Sequence, residues 1–116
     1  MSILSSTGKI LMVREPICGR FGIHKLMAML SSGTLNVKWN GIEEISVVTF
    51  NRRRTICKIL HADEDGVDCT TRILNTGVFQ VIFEENSLPV HLTRTELEEL
   101  LRKGSSKPHN NHLSAA

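Results

Sequence analysis

Four short stretches rich in β-branched and apolar residues dominate the middle of this sequence, and polar connections of three or four residues separate them. Connections this short join neighbouring strands that run in opposite directions, because a parallel crossover needs a dozen or more residues. The pattern therefore predicts an antiparallel meander. Its strands would cover residues 45–50, 55–62, 67–74 and 78–83.

The turns of this meander decide which residues face each other across the strands. Closing the second hairpin over its acidic turn places Leu60 opposite Cys69, and closing the third over its three-residue turn places Ile73 opposite Phe79. Side chains alternate across a strand, so one face of the sheet becomes apolar. We expect this face to share one core with a later helix, formed by Ile56, Leu60, Ala62, Val67, Cys69, Ile73, Phe79, Val81, Phe83, Leu97 and Leu100.

The opposite face of the meander is polar and carries His61, Asp68, Thr70, Arg72 and Gln80. Lys58 falls on the apolar side, so its long side chain has to extend to an edge of the sheet. The first hairpin leaves two registers open, with either Val47 and Thr49 or Val48 and Phe50 facing the core.

Two segments have the spacing of amphipathic helices. After Gly22, apolar residues recur at positions i, i+3, i+4 and i+7, and the run ends near Gly33. Near the C-terminus, Thr93 and Glu96 form a capping box ahead of a leucine stripe that ends at Gly104. Together with the meander, these helices predict an α+β fold, an antiparallel β-meander of about four to five strands packed with two α-helices.

The chain has 116 residues, enough for one domain core. We expect residues 9–104 to form this domain, opening with a strand at residues 9–14, between a disordered N-terminus (1–8) and a disordered polar tail (105–116). No apolar run approaches the roughly 20 residues that span a bilayer, and the N-terminus lacks a signal-peptide core. Three widely spaced cysteines suit reduced thiols, so we expect a cytoplasmic protein without membrane contact.

No arrangement of residues in the sequence predicts catalysis, and we expect neither a metal nor a cofactor. The acidic turn at residues 63–66, with Asp68, lacks the third oxygen ligand and the terminal bidentate Glu that a calcium loop requires, so we interpret it as a hairpin turn. Cys57 and His61 lie on one face of a predicted strand roughly 13 Å apart, too far for a nucleophile and its base. We therefore interpret the chain as a binding protein.

The clearest candidate for a binding site is the run of Arg52, Arg53 and Arg54 at the tip of the first hairpin. Arginine side chains bind backbone phosphates without regard to sequence, so a basic tip suits duplex DNA. No aromatic platform accompanies the run, which argues against single-stranded nucleic acid. The alternative is a solvated turn that keeps a strand edge soluble. The candidate nucleic-acid-binding residues are Arg52, Arg53, Arg54, Lys58, Arg72, Arg20 and Lys25, and the residues expected to form an opposite, acidic pole are Glu96, Glu98 and Glu99.

A series of short motifs also runs along the chain. It begins with Pro16, Arg20, Gly22 and Leu26, continues with Arg52-Arg53, Lys58-Ile59-Leu60, Asp63, Gly66, Arg72, Leu74, Gly77 and Phe79, and ends with Leu92-Thr93 and the leucines of the last helix. In this order, over residues 9–104, the motifs resemble the TnpB (Orf-two) accessory proteins of the IS66 family of bacterial insertion sequences. His61 and Ala62 stand where that family has paired tryptophans.

This resemblance implies a non-enzymatic accessory role in the transposition of a bacterial mobile element, beside a separate transposase that carries out the DNA recombination chemistry. The expected partners are that transposase and duplex DNA, and the sequence leaves a homo-oligomer open. The alternative is a protein-interaction adaptor that docks another protein and does not contact DNA. Binding to DNA that weakens with salt would separate the two, because phosphate contacts release counterions.

Overall fold

The computed structural model describes residues 8–81, 90–103 and 105–106. The helices in this part of the chain are α1 (Ile23–Ser32) and α2 (Arg94–Lys103). The strands are β1 (Lys9–Met12), β2 (Ile45–Phe50), β3 (Ile56–Ala62), β4 (Val67–Ile73), β5 (Gln80–Val81), β6 (Val90–His91) and β7 (Ser105–Ser106). Five strands form a sheet in the order β4-β3-β2-β1-β6, and β5 pairs separately with β7. The disorder predicted for the two termini falls mostly outside the described residues and stays a prediction.

The centre of the sheet follows the meander that the short connections predict. β2 and β3 pair antiparallel, as do β3 and β4, with Leu60 opposite Cys69 and Ala62 opposite Val67. β1 lies beside β2 but runs parallel to it, and α1 belongs to the long crossover that such a pair requires. The α+β fold class is confirmed, with a sheet that is mostly antiparallel and contains one parallel pair.

The third predicted hairpin does not form among the described strands, so the pairing of Ile73 with Phe79 is wrong. After β4 the chain turns back onto the first hairpin, where Leu74 N–H donates to the carbonyl of Thr55. Farther on, Phe79 N–H donates to the carbonyl of Arg54. These bonds satisfy backbone groups that would otherwise need a strand partner. Ile73 consequently stays 62% exposed, whereas Phe79 is buried.

Both faces of the sheet are buried at its inner strands, which overturns the expectation of a single core. β2 is buried along its whole length, and Val47 and Val48, the alternatives for the first hairpin, belong to opposite faces. Each face of β2 carries apolar residues and one hydroxyl residue, Ser46 or Thr49, so alternation could not identify one inner face. The core on the α1 face contains Leu11, Val13, Leu26, Leu30, Leu35, Val37, Ile45, Val47, Leu60 and Ala62. The core on the α2 face contains Ile10, Met12, Val48, Phe50, Cys57, Ile59, Phe79, Leu92, Leu97 and Leu100.

The residues predicted to share one core are therefore divided between the two faces. Leu60 lies on the α1 face with Cys69 packed against it. Phe79 lies on the α2 face with the leucines of that helix. The side chain of Val81 and all of Phe83 fall outside the described residues.

Both helices begin and end where the sequence predicts. Gly33 ends α1 in the left-handed conformation, with φ 81°, which glycine adopts without steric cost. At the start of α2, Thr93 Oγ1 accepts a hydrogen bond from Glu96 N–H, and the Glu96 carboxylate accepts one from Thr93 N–H, as in a capping box. Neither described helix is long and apolar enough to cross a membrane.

Candidate nucleic-acid interface

The strand directions gather several chain segments at one end of the sheet. β1 and β4 both run parallel to β2, so their C-terminal ends meet the start of β3 there. The loop after β1 lies against the same end, since Ile17 N–H donates to Phe50 O at 2.8 Å. We call this the basic end, because these strand ends and loops carry Arg14, Arg20, Arg52, Arg53, Arg54 and Arg72.

Asn51 fixes the shape of the arginine turn, residues 51–55. Its Oδ1 accepts hydrogen bonds from the N–H groups of Thr55 and Ile56, both at 2.9 Å. Its Nδ2 lies 3.0 Å from Thr55 Oγ1 and donates to it. The backbone closes the same turn, because Arg54 N–H donates to Asn51 O at 3.0 Å. The turn therefore holds its shape without any partner.

The arginines of this turn differ in their surroundings. Arg52 and Arg53 are exposed, and within the described residues neither has an ion-pair partner. Arg54 is half-buried and has φ 60°, a left-handed conformation that few non-glycine residues adopt. Its carbonyl also accepts the hydrogen bond from Phe79. Arg52 and Arg53 thus present charge to solvent, whereas Arg54 helps to connect the turn to the rest of the fold.

A small surface cavity of about 160 Å³ opens beside the arginine turn. Its lining residues are Arg14, Pro16, Phe50, Asn51, Arg52 and Arg54. Arg14 is absent from the residues predicted from sequence, because its position depends on the parallel pairing of β1 with β2, which no short connection signals. Three arginines around one cavity suit a single anionic group such as a backbone phosphate.

The two predicted lysines lie on the α1 side of the sheet and make local contacts. Lys58 Nζ donates to Phe21 O at 2.8 Å, so its charge holds the chain just before α1 against β3. This contact explains how a lysine is accommodated on the apolar side of that strand. Lys25 Nζ lies 5.3 Å from the centre of the Phe21 ring, within range of a cation–π interaction. Arg20, the residue before Phe21, is exposed.

Arg72 lies on the other side of the sheet from these lysines. It pairs across the strands with Cys57, which belongs to the α2-face core. A surface cleft of about 370 Å³ opens there, lined by Thr70, Thr71, Arg72, Glu98, Leu101 and Arg102. The predicted residues thus form a group around the arginine turn with two outlying positions, the lysines on the α1 face and Arg72 on the α2 face.

The opposite end of the sheet is acidic, and several of its charges contact one another. Lys9 Nζ lies 3.3 Å from Glu43 Oε1. His61 is buried, with its Nε2 2.8 Å from Glu44 Oε2 and its Nδ1 3.5 Å from Asp68 Oδ2. We call this the acidic end, and its carboxylates are Glu43, Glu44, Asp63, Glu64, Asp65 and Asp68.

The acidic turn is closed by its own hydrogen bonds. Asp63 Oδ1 accepts from Asp65 N–H at 2.9 Å and from Gly66 N–H at 3.0 Å, while Asp63 N–H donates to Gly66 O. These are the contacts of a hairpin turn. In the part of the chain that the structure describes, no group of three His, Cys, Asp or Glu residues is arranged to hold a metal.

The acidic pole expected from α2 is placed differently. Glu98 lines the cleft beside Arg72, so one of the helix carboxylates lies next to a predicted nucleic-acid-binding residue. The carboxylates that oppose the arginine turn along the sheet belong instead to the acidic end.

The cysteines of β3 and β4 lack the properties of nucleophiles. Burial raises the pKa of Cys57 to about 12, so its thiol stays protonated at neutral pH. Burial also raises the pKa of Cys69, while the positive charge of Lys58 acts in the opposite direction.

Comparisons with known proteins identify the family of the chain. No curated protein and no solved structure matches the chain. The model of a protein family described as IS66 Orf2 like protein matches residues 8–110, which include both helices, the whole five-stranded sheet and the basic end. The chain therefore belongs to the IS66 Orf2-like family of insertion-sequence accessory proteins.

Proposed function

We propose that this insertion-sequence accessory protein assists transposition by contacting duplex DNA through its basic end. The observation that supports this most directly is the separation of charge along the sheet. Among the strand ends and loops that the structure describes, six arginines from three chain segments lie at one end with a single carboxylate, Glu15, and the carboxylates of the acidic turn, of the residues before β2 and of the start of β4 lie at the other. Such a field orients the basic end toward an anionic partner as the two approach.

Arg52 and Arg53 are the side chains best suited to phosphate contact. Both are exposed, and their charges are not neutralised by an ion pair within the described residues. Their turn is already held by Asn51, so binding does not have to order the backbone. A preorganised site loses less conformational entropy on binding, which favours affinity.

The aromatic residues near the arginine turn favour a duplex over a single strand. Single-strand binding relies on exposed aromatic rings on which bases stack. Phe50 and Phe79 lie behind the turn, but both are buried, and their ring centroids are 5.5 Å apart in the α2-face core. The basic end therefore offers charge without a stacking platform.

The cleft between β4 and α2 favours a second candidate function, docking of the transposase. Its lining combines two arginines and two threonines with one glutamate and one leucine. This mixture suits a peptide segment that carries both a carboxylate and an apolar side chain. In this alternative the protein is an adaptor, and DNA is not contacted.

The experiment that tests DNA contact replaces Arg52 and Arg53 together with alanine. Affinity for a labelled DNA duplex is measured by fluorescence anisotropy over a series of salt concentrations. The slope of log affinity against log salt should flatten by about 0.9 for each phosphate contact that is lost. Folding should be unaffected, because both side chains are exposed on the turn.

The matched control replaces Lys9 and Lys38 with alanine, which removes the same charge away from the arginine turn. Lys9 pairs with Glu43 at the acidic end, and Lys38 is exposed in the segment that leads to that glutamate. This control should keep the parent slope. Equal losses in the two double variants, or a parent protein that does not bind duplex at low salt, would reject DNA contact. A complex with the transposase that persists at high salt would then support the adaptor function.

A further inference from the structure

β4 is an edge strand and is more exposed than the inner strands of the sheet. In the part of the chain that the structure describes, it ends the five-stranded sheet. β2 is buried throughout, whereas the last four residues of β4 are exposed, and Ile73 at its end is 62% exposed. An edge strand presents backbone N–H and C=O groups that can pair with a further strand.

The sequence of β4 is chemically self-complementary about its middle residue, Thr70. An antiparallel pair formed by a strand and its own copy, related by a two-fold axis at one residue, brings residues equally distant from that residue opposite each other. The residues equally distant from Thr70 are Cys69 and Thr71, Asp68 and Arg72, and Val67 and Ile73. These are two small side chains, two opposite charges and two β-branched apolar side chains.

We propose that the protein forms a symmetric dimer in which β4 pairs antiparallel with β4 of a second copy, centred on Thr70. Asp68 then faces Arg72 of the partner subunit, and the two-fold axis produces this pair twice. On the α1 face, the exposed Ile73 meets Val67 of the partner subunit. Opposed side chains in such pairs lie about 4.5–5.5 Å apart at Cβ, a distance that an aspartate and an arginine bridge easily.

The side chains of Asp68 and Arg72 are both exposed, so a second copy can reach them. The side chain of Asp68 is 67% exposed, although one of its oxygens lies 3.5 Å from His61 Nδ1. Arg72 is exposed at the rim of the cleft, and within the described residues it has no ion-pair partner. On its own subunit, Asp68 contacts only His61, at 3.5 Å, among the ion pairs of the described residues, and Arg72 shares a cleft with Glu98 without forming an ion pair.

In the neighbouring registers of the same strand pair, Asp68 and Arg72 do not face opposite charges. Centring the pair on Cys69 places Arg72 opposite Gly66, and centring it on Thr71 places Asp68 opposite Leu74. Centring it on either charged residue places that residue opposite its own copy, and like charges directly opposite are unfavourable. Charges on an edge strand also discourage pairing with unrelated strands. The same two residues thus select a second copy of this chain and one register.

A charge swap tests the proposal. Sedimentation velocity over a wide concentration range, without DNA, should show a monomer–dimer equilibrium for the parent protein. Asp68→Arg or Arg72→Asp alone should weaken dimerisation by at least about tenfold, because each change creates two like-charge pairs across the axis. The double variant Asp68→Arg/Arg72→Asp restores opposite charges and should recover dimerisation. Circular dichroism melts establish that each variant is folded.

Each result of the charge swap either supports or overturns the β4 dimer. Recovery in the double variant supports the β4 dimer, because a strand edge that merely repels other proteins would gain nothing from the swap. A parent that stays monomeric at the highest concentration, or a double variant as weak as the single ones, overturns the proposal. Since no DNA is present, the result does not depend on the role of the basic end.

Cysteine cross-linking tests the register itself. In a background with Cys18→Ser and Cys69→Ser, the variant Thr70→Cys places a thiol at the two-fold axis and should form a disulfide-linked dimer on mild oxidation. The matched control is Thr76→Cys, an exposed threonine three residues beyond β4 that the proposed axis separates widely from its copy. Equal cross-linking at both positions, or none at Thr70→Cys, would overturn the register.

Discussion

The two ends of the sheet differ in the contacts that their ionisable side chains make. At the acidic end, polar side chains contact each other: Lys9 meets Glu43, and the buried His61 lies between Glu44 and Asp68. At the basic end, hydrogen bonds from a neutral residue, Asn51, shape the turn, and the exposed guanidinium groups take no part in holding it. Ionisable side chains are engaged in contacts at one end, and the exposed arginines are not engaged in ion pairs within the described residues at the other.

This contrast indicates where stability and binding should be separable. Changes at the acidic end should alter the free energy of unfolding and leave DNA affinity alone, whereas changes to exposed arginines should do the reverse. Residues that shape the arginine turn should affect both.

The largest expected effect is that of His61→Ala. The variant leaves a cavity beside the α2-face core and removes one hydrogen-bond partner of Glu44, so it should lower the free energy of unfolding by about 2–4 kcal/mol. Urea denaturation measures this loss. DNA affinity, corrected for the folded fraction, should stay at the parent value. A loss below about 0.5 kcal/mol, the usual range for surface changes, would mean that the His61 contacts do not stabilise the acidic end.

Asn51→Ala should have the next largest effect and should act on both properties. It removes the acceptor of two backbone N–H groups and should cost about 1–3 kcal/mol of stability. The loosened turn should also bind DNA more weakly. Asn51→Asp keeps an acceptor for both N–H groups and loses only the donor to Thr55 Oγ1, so its stability should lie between those of the parent and Asn51→Ala. Equal stability of all three proteins would contradict this account of the turn.

Lys58→Met tests whether a lysine predicted from the sequence to bind DNA stabilises the fold instead. It removes the donor to Phe21 O and should lower stability by about 1 kcal/mol. Because this lysine is occupied by a structural contact, the salt dependence of DNA binding should keep its parent slope. A slope that flattens as much as it does for an arginine of the turn would assign Lys58 to the DNA contact after all.

The smallest expected effect is that of Lys9→Ala. Its ion pair with Glu43 is partly exposed, with 44% and 35% of the two side chains accessible, so stability should change by no more than about 0.5 kcal/mol. Thermal melts at low and high salt measure it. A larger loss that disappears in high salt would show that the surface pair stabilises the acidic end more than its exposure suggests.

How much of the fold the sequence predicts depends on whether the deciding contacts are local. The register of β3 against β4 follows from a four-residue turn that Asp63 closes, and it is confirmed residue by residue. The third hairpin fails because Leu74 and Phe79 bond to the arginine turn, which is distant in sequence. β2 has apolar residues on both faces and only two polar ones, Ser46 and Thr49, which fits burial on both faces, but only the opposed placement of the helices shows it.

The same distinction holds for the candidate site. The adjacent arginines are visible in the sequence, as is their position on a hairpin tip between β2 and β3. Arg14 lies beside these arginines only because β1 pairs parallel with β2. Lys58 instead donates a hydrogen bond to Phe21, on the α1 side of the sheet. Neither long-range contact leaves a local pattern, so the proposed interface could be predicted at its centre but not at its margins.

The placement of β1 between β2 and β6 has a consequence for the protein as it leaves the ribosome. The core on the α1 face uses residues no later than Cys69, so it can assemble while the chain is still being synthesised. The core on the α2 face also needs Leu97 and Leu100, and until they emerge Ile10 and Met12 lack the two leucines that complete this core. A nascent chain whose α1-face core has formed but whose α2-face core is incomplete exposes apolar side chains, and such chains are open to aggregation. We expect the α2-face core to form only after α2 has been synthesised.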